Sequence, residues 1–349
     1  MTSTSTAHPL APVVAAEPTW SLAVSDHVTA LDVSSDGRRV VAGSSAGETA
    51  ILDAGDGTVV GRLPDHPLGT LCVAFSPDAT RVASGGADGV VTVASADAQV
   101  LGAVTGSGWA NAVSWRPVRE QVLAAAIGRS VTLVDPEGFA RVSYDAPPST
   151  VTALSWAPNG RRLAAASYGG VRFYDPERTG VVRELAWKGS LLTIAHSPDG
   201  KWLVSGNQDS SVHLWRLAGT GELEMAGYPA KINRLAFDRD GRWLAVGGVG
   251  DVTLWDMRGK GPGGRRPVVL DGHRQRISAL SWRPDGALVA SGSPDGSVVL
   301  WDPVRPAAPR KVIEVAEPVS TLAWVPTTTS LIVGTASGAL ALYDTERAA

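Results

Sequence analysis

Cysteine is almost absent from this chain of 349 residues, since Cys72 is its only example. One thiol excludes an intramolecular disulfide framework, a zinc site built on thiolates and an iron–sulfur cluster. The sequence also lacks a run of about 18 apolar residues, so it predicts no membrane-spanning helix.

Excess positive charge is missing as well. The formal net charge is −3 and the isoelectric point lies near 6.1, so no field of the whole molecule favours a nucleic-acid backbone. Lysine occurs only five times and arginine supplies the other basic residues, a bias that points weakly to a bacterial source.

Residues 1–18 lack a basic segment, and Pro9 and Pro12 interrupt their apolar stretch. We interpret them as a disordered leader rather than a secretory signal and expect a cytoplasmic protein.

What the chain does contain is a repeat. Apolar and small residues alternate over five or six positions, a turn rich in Pro, Asp and Gly follows, and the alternation resumes. The tight turns are spaced by 40 to 45 residues. Eight copies occupy residues 28–53, 71–95, 111–135, 151–175, 192–216, 232–256, 277–302 and 319–344, numbered copies 1 to 8 below.

Each copy is therefore predicted to form three strands, and a fourth short strand is expected between consecutive copies. No amphipathic helix is evident, so the fold class is all-β. Eight copies need eight fourth strands, but only seven lie between copies. The strand left over, within residues 19–24, is expected to pair in the last unit and to close the ring, which removes an exposed sheet edge.

These copies resemble the WD-repeat (WD40) family of β-propellers. The residues that carry the resemblance are the pairs Trp255-Asp256, Trp301-Asp302, Tyr174-Asp175 and Tyr343-Asp344, together with Asp26-His27, Asp65-His66 and Gly272-His273. The resemblance covers about residues 19–344 and implies an eight-bladed propeller that forms one domain over residues 19–349.

The family also implies a hydrogen-bonded group of four side chains in each blade. Copy 7 has all four of them, namely His273, Ser291, Asp295 and Trp301. Other copies are incomplete: Ala94 replaces the Trp in copy 2, and Trp187 and Tyr228 take the His position in copies 5 and 6. We expect the blades of copies 2, 5 and 7 to be the best ordered.

Signatures of catalysis and metal binding are missing from the sequence. It contains no HExxH, GxSxG or GxxxxGK[ST] motif. Two segments, Asp53–Gly57 and Asp238–Gly241, faintly resemble calcium-binding loops, but neither has the Glu that such a loop needs at its twelfth position. His196 and His213 stand at unusual strand positions, where a structural role competes with a metal or general-base role. We expect no metal and no cofactor.

The insertion 259–267 is interpreted as a solvated loop, with contact to an acidic partner as the alternative.

Tryptophan is over-represented, with 12 residues. Ten of them occupy equivalent strand positions or the closing strand, which leaves Trp109 and Trp187 in segments that lead into a first strand. In the family, these lead-in segments and the turns between second and third strands form the top face, where partners bind. Candidate partner-binding residues there are Trp109, Arg129, Tyr168, Trp187, Asn207, Gln208, Tyr228, Lys231, Arg274 and Arg276. Trp187 and Tyr228 have an alternative role, which is to fill the space of the absent His.

The function that follows is a non-catalytic scaffold that binds a protein or peptide on its top face, in the assembly or regulation of a bacterial cytoplasmic complex. It needs no oligomer, nucleic acid or membrane. An enzyme with its active site at the mouth of the central channel is the first alternative, and a nucleic-acid-binding propeller is the second.

Overall fold

The computed structural model describes residues 13–14, 17–118, 121–144 and 147–347, and within these ranges every regular element is a strand. The strands of the first half are β1 (Val13–Val14), β2 (Trp20–Ala23), β3 (Val28–Val33), β4 (Arg39–Ser44), β5 (Thr49–Asp53), β6 (Val59–Arg62), β7 (Thr70–Phe75), β8 (Arg81–Gly86), β9 (Val90–Ser95), β10 (Val100–Thr105), β11 (Ala110–Trp115), β12 (Leu123–Ile127), β13 (Ser130–Val134), β14 (Ala140–Tyr144), β15 (Ala153–Trp156) and β16 (Leu163–Tyr174). Those of the second half are β17 (Val181–His196), β18 (Trp202–Asn207), β19 (Val212–Arg216), β20 (Glu222–Met225), β21 (Leu235–Phe237), β22 (Trp243–Gly247), β23 (Val249–Asp256), β24 (Val268–Arg276), β25 (Ala279–Trp282), β26 (Val289–Ser293), β27 (Ser297–Trp301), β28 (Lys311–Glu314), β29 (Val319–Trp324), β30 (Ser330–Thr335) and β31 (Ala339–Asp344).

Neighbouring strands of each copy pair antiparallel, and their burial falls from the middle of the sheet outwards. All five residues of β12 are buried, whereas β14, at the outer edge of the same sheet, is mostly exposed. Small residues in the second strands allow adjacent sheets to approach closely, because little side-chain volume separates the two backbones.

The hydrophobic core is divided among the junctions between consecutive copies. Separate buried clusters join copies 1 and 2, 2 and 3, and so on to copies 7 and 8, and a further cluster joins copy 8 back to copy 1. The sheets therefore form a closed ring. Apolar burial, the main driving force of folding, is distributed around the whole ring rather than concentrated in one centre.

The prediction of eight blades is wrong, because the described strands form seven hydrogen-bonded sheets and thus a seven-bladed propeller. The difference arises at β17, which continues without a break from residue 181 to residue 196. Its first part pairs with β16 and its second part with β18, so copies 4 and 5 share one six-stranded sheet. The lead-in segment here has Trp187 at the position of the His. The indole packs 3.9 Å from the ring of His213, and the chain remains extended.

The N-terminal strand closes the ring. β2 pairs antiparallel with β31, so the last sheet consists of one N-terminal strand and the final three strands of the chain. The Trp20 indole extends beyond this sheet and donates to the carbonyl of Ala54, the residue that follows copy 1, at 3.0 Å. Of the expected leader, β1 pairs parallel with β28, and residues 1–12 and 15–16 lie outside the described residues.

Tryptophans at the ends of the first strands connect neighbouring copies. The indole N–H of Trp115 donates to the carbonyl of Ala74 in the preceding copy at 3.1 Å. Trp156, Trp282 and Trp324 do the same with Ser114, Ala236 and Ser281. Each bond satisfies a donor that would otherwise be buried without a partner, which explains why Trp recurs at this position.

Candidate functional site

The lead-in segments and the turns between second and third strands meet at one end of the propeller, which we call the top face. The Gly128 N–H, in such a turn, donates to the carbonyl of Trp109, and the Val151 N–H donates back to Gly128, both at 2.8 Å. The Gln208 N–H donates to Ser190 at 3.0 Å in the same way. Backbone bonds between neighbouring copies therefore hold these loops in place before any partner binds.

A concave surface of about 650 Å³ opens on the top face above copies 2 to 4. We call it the Trp109 concavity, and its lining residues are Leu71, Gly108, Trp109, Asn111, Gly128, Thr150 and Thr152. The Trp109 side chain is 61% exposed, although large apolar side chains usually lie in the core. Large aromatic area beside a concavity is typical of a binding surface.

Close backbone contact fixes the position of Trp109. A Cβ atom at Gly128 would lie 2.2 Å from the Ser107 carbonyl oxygen, and one at Gly108 would lie 3.0 Å from the Gly128 Cα. Both glycines have positive φ angles, at +103° for Gly108 and +56° for Gly128. Larger residues at either position would push the two loops apart, so the indole sits on a rigid support.

Polar walls of the Trp109 concavity are also held by bonds between copies. The Asn111 amide donates to the carbonyl of Val151 at 3.1 Å, and the Thr152 hydroxyl donates to the carbonyl of Leu191 at 2.7 Å. Sequence reasoning did not select Leu71, Asn111 or Thr152. Their only signal is that each stands at the same place in its copy, directly after a fully buried residue, which is Thr70, Ala110 or Val151.

The remaining candidates fall into an exposed group and a buried group. Side chains exposed on or beside the top face are those of Arg129, Tyr168, Gln208, Lys231, Arg274 and Arg276. Asn207 is only 1% exposed, and its amide bonds Ser205 and Ser211 at 2.9 and 3.0 Å. Asn207 thus stabilises its own turn and presents no surface to a partner.

Trp187 and Tyr228 have interior contacts. The Tyr228 hydroxyl accepts the indole N–H of Trp255 at 2.9 Å and bonds the hydroxyl of Thr253 at 2.9 Å, so it occupies the place of the absent His. Trp187 packs against His213 and stands edge-on to Trp215, with ring centroids 6.4 Å apart. These contacts favour the space-filling alternative for both residues.

Copy 7 contains the network that the family resemblance implies. Ser291 lies at its centre: its hydroxyl accepts the indole N–H of Trp301 at 2.9 Å and bonds His273 Nε2 at 2.7 Å. His273 Nδ1 lies 3.6 Å from Asp295 and 2.9 Å from the hydroxyl of Ser297, which donates to Asp295 at 2.6 Å. Burial lowers the pKa of His273, and the neighbouring Asp295 charge opposes this shift.

Copy 2 forms a shorter version of the same network. His66 Nε2 bonds Ser84 at 3.0 Å, and its Nδ1 lies 3.1 Å from Asp88. In both copies the imidazole is enclosed between a hydroxyl and a carboxylate, a geometry that anchors the lead-in segment to the turn beneath it.

A second cavity, of about 290 Å³, lies in the central channel between the inner strands. It is lined by Thr29, Ala30, Leu31, Leu71, Cys72, Val73, Arg234, Ser278, Ala279, Leu280, Ser320, Thr321 and Leu322. Burial raises the pKa of the Cys72 thiol to about 12, which disfavours the thiolate needed for nucleophilic chemistry near neutral pH. These lining residues do not supply an acid–base pair for catalysis.

Among the described residues, no cluster of His, Cys, Asp or Glu could hold a metal ion. The same part of the chain contains no helix long and apolar enough to cross a membrane.

A closed ring of sheets built from sequence repeats, with bonded loops at one end, defines the class of this protein as a repeat β-propeller. The family model for the WD40 domain, described as "WD domain, G-beta repeat", matches residues 57–93, 141–175, 181–216 and 264–302. The chain belongs to the WD40 repeat β-propeller family.

Curated relatives match over parts of their length. The target of rapamycin complex subunit LST8 of Saccharomyces cerevisiae is 31% identical over 110 residues, which cover 31% of this chain and 35% of that protein. The WD repeat-containing protein WDS homolog of Arabidopsis thaliana is 26% identical over 207 residues, covering 54% and 38%. Actin-interacting protein 1 of Caenorhabditis elegans is 25% identical over 170 residues, covering 48% and 27%. The matches thus span well under half of each relative.

Among solved structures, the crystal structure of the computationally designed Ika8 protein superimposes with a TM-score of 0.79. It is 20% identical in sequence, and the match covers 94% of this chain and 99% of that one. The likeness supports the propeller fold alone.

Proposed function

We propose that this protein is a non-catalytic scaffold that binds a protein or peptide partner in the Trp109 concavity of its top face. The observation that carries the proposal is the exposed indole of Trp109, fixed by two tightly packed glycine loops at the edge of a concave surface. An aromatic anchor held in place before binding loses little conformational entropy when a partner covers it.

Two further observations support a non-catalytic role with a protein partner. Burial raises the pKa of the Cys72 thiol in the channel to about 12, and the residues that line the channel cavity include no His, Asp or Glu. Among the relatives, one is named as a subunit of the target of rapamycin complex and another as an actin-interacting protein. We extend this to a role in the assembly or regulation of a complex in a bacterial cytoplasm.

Quantitative affinity capture from the native cytoplasm tests the proposal. The wild type is compared with Trp109→Ala and with Phe139→Ala, a matched control. Phe139 is 63% exposed but lies in the turn between β13 and β14, at the opposite end of the propeller. We expect Trp109→Ala to lose at least one protein that both the wild type and Phe139→Ala retain. Identical captured proteins for all three would contradict the proposal.

A double variant, Trp109→Ala with Arg276→Ala, extends the test across the top face. If the partner spans both residues, its recovery falls further than with Trp109→Ala alone. Unfolding curves of every variant confirm that lost capture reflects a lost contact and not a lost fold.

A further inference from the structure

Arg234 is the only charged side chain among the residues that line the channel cavity. Its Nε donates to the carbonyl of Ser278 in the next copy at 2.5 Å, and its Nη1 donates to the carbonyl of Asn233 at 3.0 Å. Both acceptors are neutral backbone groups. Among the described residues, no ion pair joins Arg234 to a carboxylate.

A second positive charge lies close to the guanidinium. Burial and the nearby Arg276 both lower the pKa of Arg234, which shows that Arg276 is close enough to repel it. The exposed side chains of Lys231 and Arg274 belong to the same two lead-in segments. This sector of the channel mouth is therefore positive.

Nearby carboxylates on the packed elements have other contacts. Asp295 accepts the backbone N–H of Arg274 at 2.6 Å and the hydroxyl of Ser297 at 2.6 Å. Burial and the charge of Asp271 raise the pKa of Asp251, the reverse of what a close guanidinium would do. Neither carboxylate compensates Arg234.

A partly buried cation beside a like charge is costly unless an anion accompanies it. Within the part of the chain that the structure describes, the planar guanidinium bonds only the carbonyls of Ser278 and Asn233, so further N–H donors remain in the fork geometry that fits a carboxylate or a phosphate. Leu71 lines both the channel cavity and the Trp109 concavity, so the two spaces adjoin. A partner seated against Trp109 therefore borders the channel cavity that Arg234 also lines.

We propose that Arg234, with Arg276 at the rim, binds an oxyanion, either a carboxylate or a phosphate, carried on a side chain of the partner that occupies the Trp109 concavity. This inference rests on the proposed function. A free small anion in the cytoplasm has the same chemistry and is the other source to distinguish.

Inorganic phosphate is the first probe, titrated at constant ionic strength by calorimetry into the wild type, Arg234→Gln, Arg276→Gln and Arg266→Gln. Arg266 is exposed in the insertion 259–267 and serves as the charge-matched control. We expect Arg234→Gln and Arg276→Gln to weaken phosphate binding about tenfold or more, and Arg266→Gln to leave it unchanged. Equal affinity in all four proteins would overturn the inference. Arg276→Gln alters an exposed side chain, so it keeps the test valid if Arg234→Gln fails to fold.

Affinity capture with the same variants separates the two sources of the anion. If the partner carries the oxyanion, Arg234→Gln reduces recovery of the protein that Trp109→Ala loses, and added phosphate competes with that protein. If capture is unaffected while phosphate binds tightly through Arg234, the ligand is a free anion and the partner-borne form is wrong. Loss of capture in Trp109→Ala without any effect of Arg234→Gln would leave the proposed function intact and refute this inference alone.

Discussion

The hydroxyl of Ser320 in copy 8 donates to the backbone carbonyl of Val28 in copy 1 at 2.8 Å, across a sequence separation of 292 residues. The bond belongs to a girdle, which we define as the side-chain donors of one copy that bond an inner-strand carbonyl of the next copy. Its other donor and acceptor pairs are Thr29 with Thr70, Cys72 with Ala110, Asn111 with Val151, Thr152 with Leu191, Arg234 with Ser278, and Ser278 with Val319. The girdle runs in one direction around the channel.

Removing the Ser320 hydroxyl should loosen the junction at which the ring closes. Ser320→Ala deletes the bond to Val28 and a second one to Gly334 at 3.1 Å, and we expect the free energy of unfolding to fall by about 1 to 2 kcal/mol in urea titrations. Ser320→Thr is the matched control, because Thr occupies the equivalent positions 29 and 152. The threonine variant should keep most of the stability. Equal losses in both variants would show that the hydroxyl is not responsible.

The pairing of the N-terminal strand β2 with the last strand β31 should be essential for the stability of the ring. Deleting residues 1–25 removes β2, leaves β31 as an exposed edge and takes the Trp20 side chain out of the cluster that joins copies 8 and 1. We expect this protein to aggregate or to melt at a much lower temperature.

Deleting residues 1–17 is the control for that experiment. It keeps the whole of β2 and removes only the two-residue β1 with its pairing to β28, so it should leave the melting temperature nearly unchanged, as measured by calorimetry with size-exclusion chromatography. An unchanged melting temperature for the longer deletion would refute closure by the N-terminal strand.

Much of this architecture could be predicted from the sequence because the turn signals are local. Ser197 and Asp199 illustrate this: the Ser hydroxyl donates to the carboxylate at 2.7 Å, and the same carboxylate accepts the N–H of residue 201. Such bonds stabilise a turn wherever the Ser-Pro-Asp-Gly pattern occurs, so copies and strands follow from spacing.

The number of sheets and the composition of the site could not be predicted in this way. Copies 4 and 5 share one sheet because β17 pairs with both β16 and β18, and Trp187 in the middle of β17 packs against His213, a contact that no local pattern encodes. The sequence pattern predicts an exposed loop position for Asn207, yet its amide bonds Ser205 and Ser211 inside the turn. Arg234 becomes significant only because its side chain crosses to the next copy, a long-range contact that spacing does not reveal.

Asp32 should make the protein less stable as the pH rises. Its carboxylate lies between copies 1 and 2, accepts the N–H groups of Phe75 at 2.7 Å and Val33 at 2.9 Å, and burial raises its pKa to about 6. The folded pKa exceeds the unfolded value near 3.9, so the contribution is complete below pH 3.9 and is lost as the pH rises through about 6. Relative to the wild type, Asp32→Asn should therefore gain up to about 3 kcal/mol between pH 4 and pH 7, measured by urea unfolding. A difference that does not vary with pH would show that Asp32 has the same pKa in both states.

The titration of His196 should change the stability of the fold in the opposite direction over almost the same pH range. Its Nδ1 bonds the hydroxyl of Ser155 at 2.9 Å, and that hydroxyl also accepts the His196 backbone N–H at 3.2 Å. Burial lowers its pKa to about 4. The folded pKa lies below the unfolded value of about 6.5, so the contribution is complete above pH 6.5 and is lost as the pH falls towards 4.

His196→Phe tests this, because Phe stands at the equivalent positions 75 and 237 and fits the end of a first strand. Relative to the wild type, the variant should gain up to about 3 kcal/mol as the pH falls from 7 to 4, whereas Asp32→Asn gains as the pH rises. The two opposing slopes should partly cancel in the wild type, which then shows a shallower stability profile than either variant. If His196→Phe keeps the pH dependence of the wild type, the imidazole is not the group that titrates.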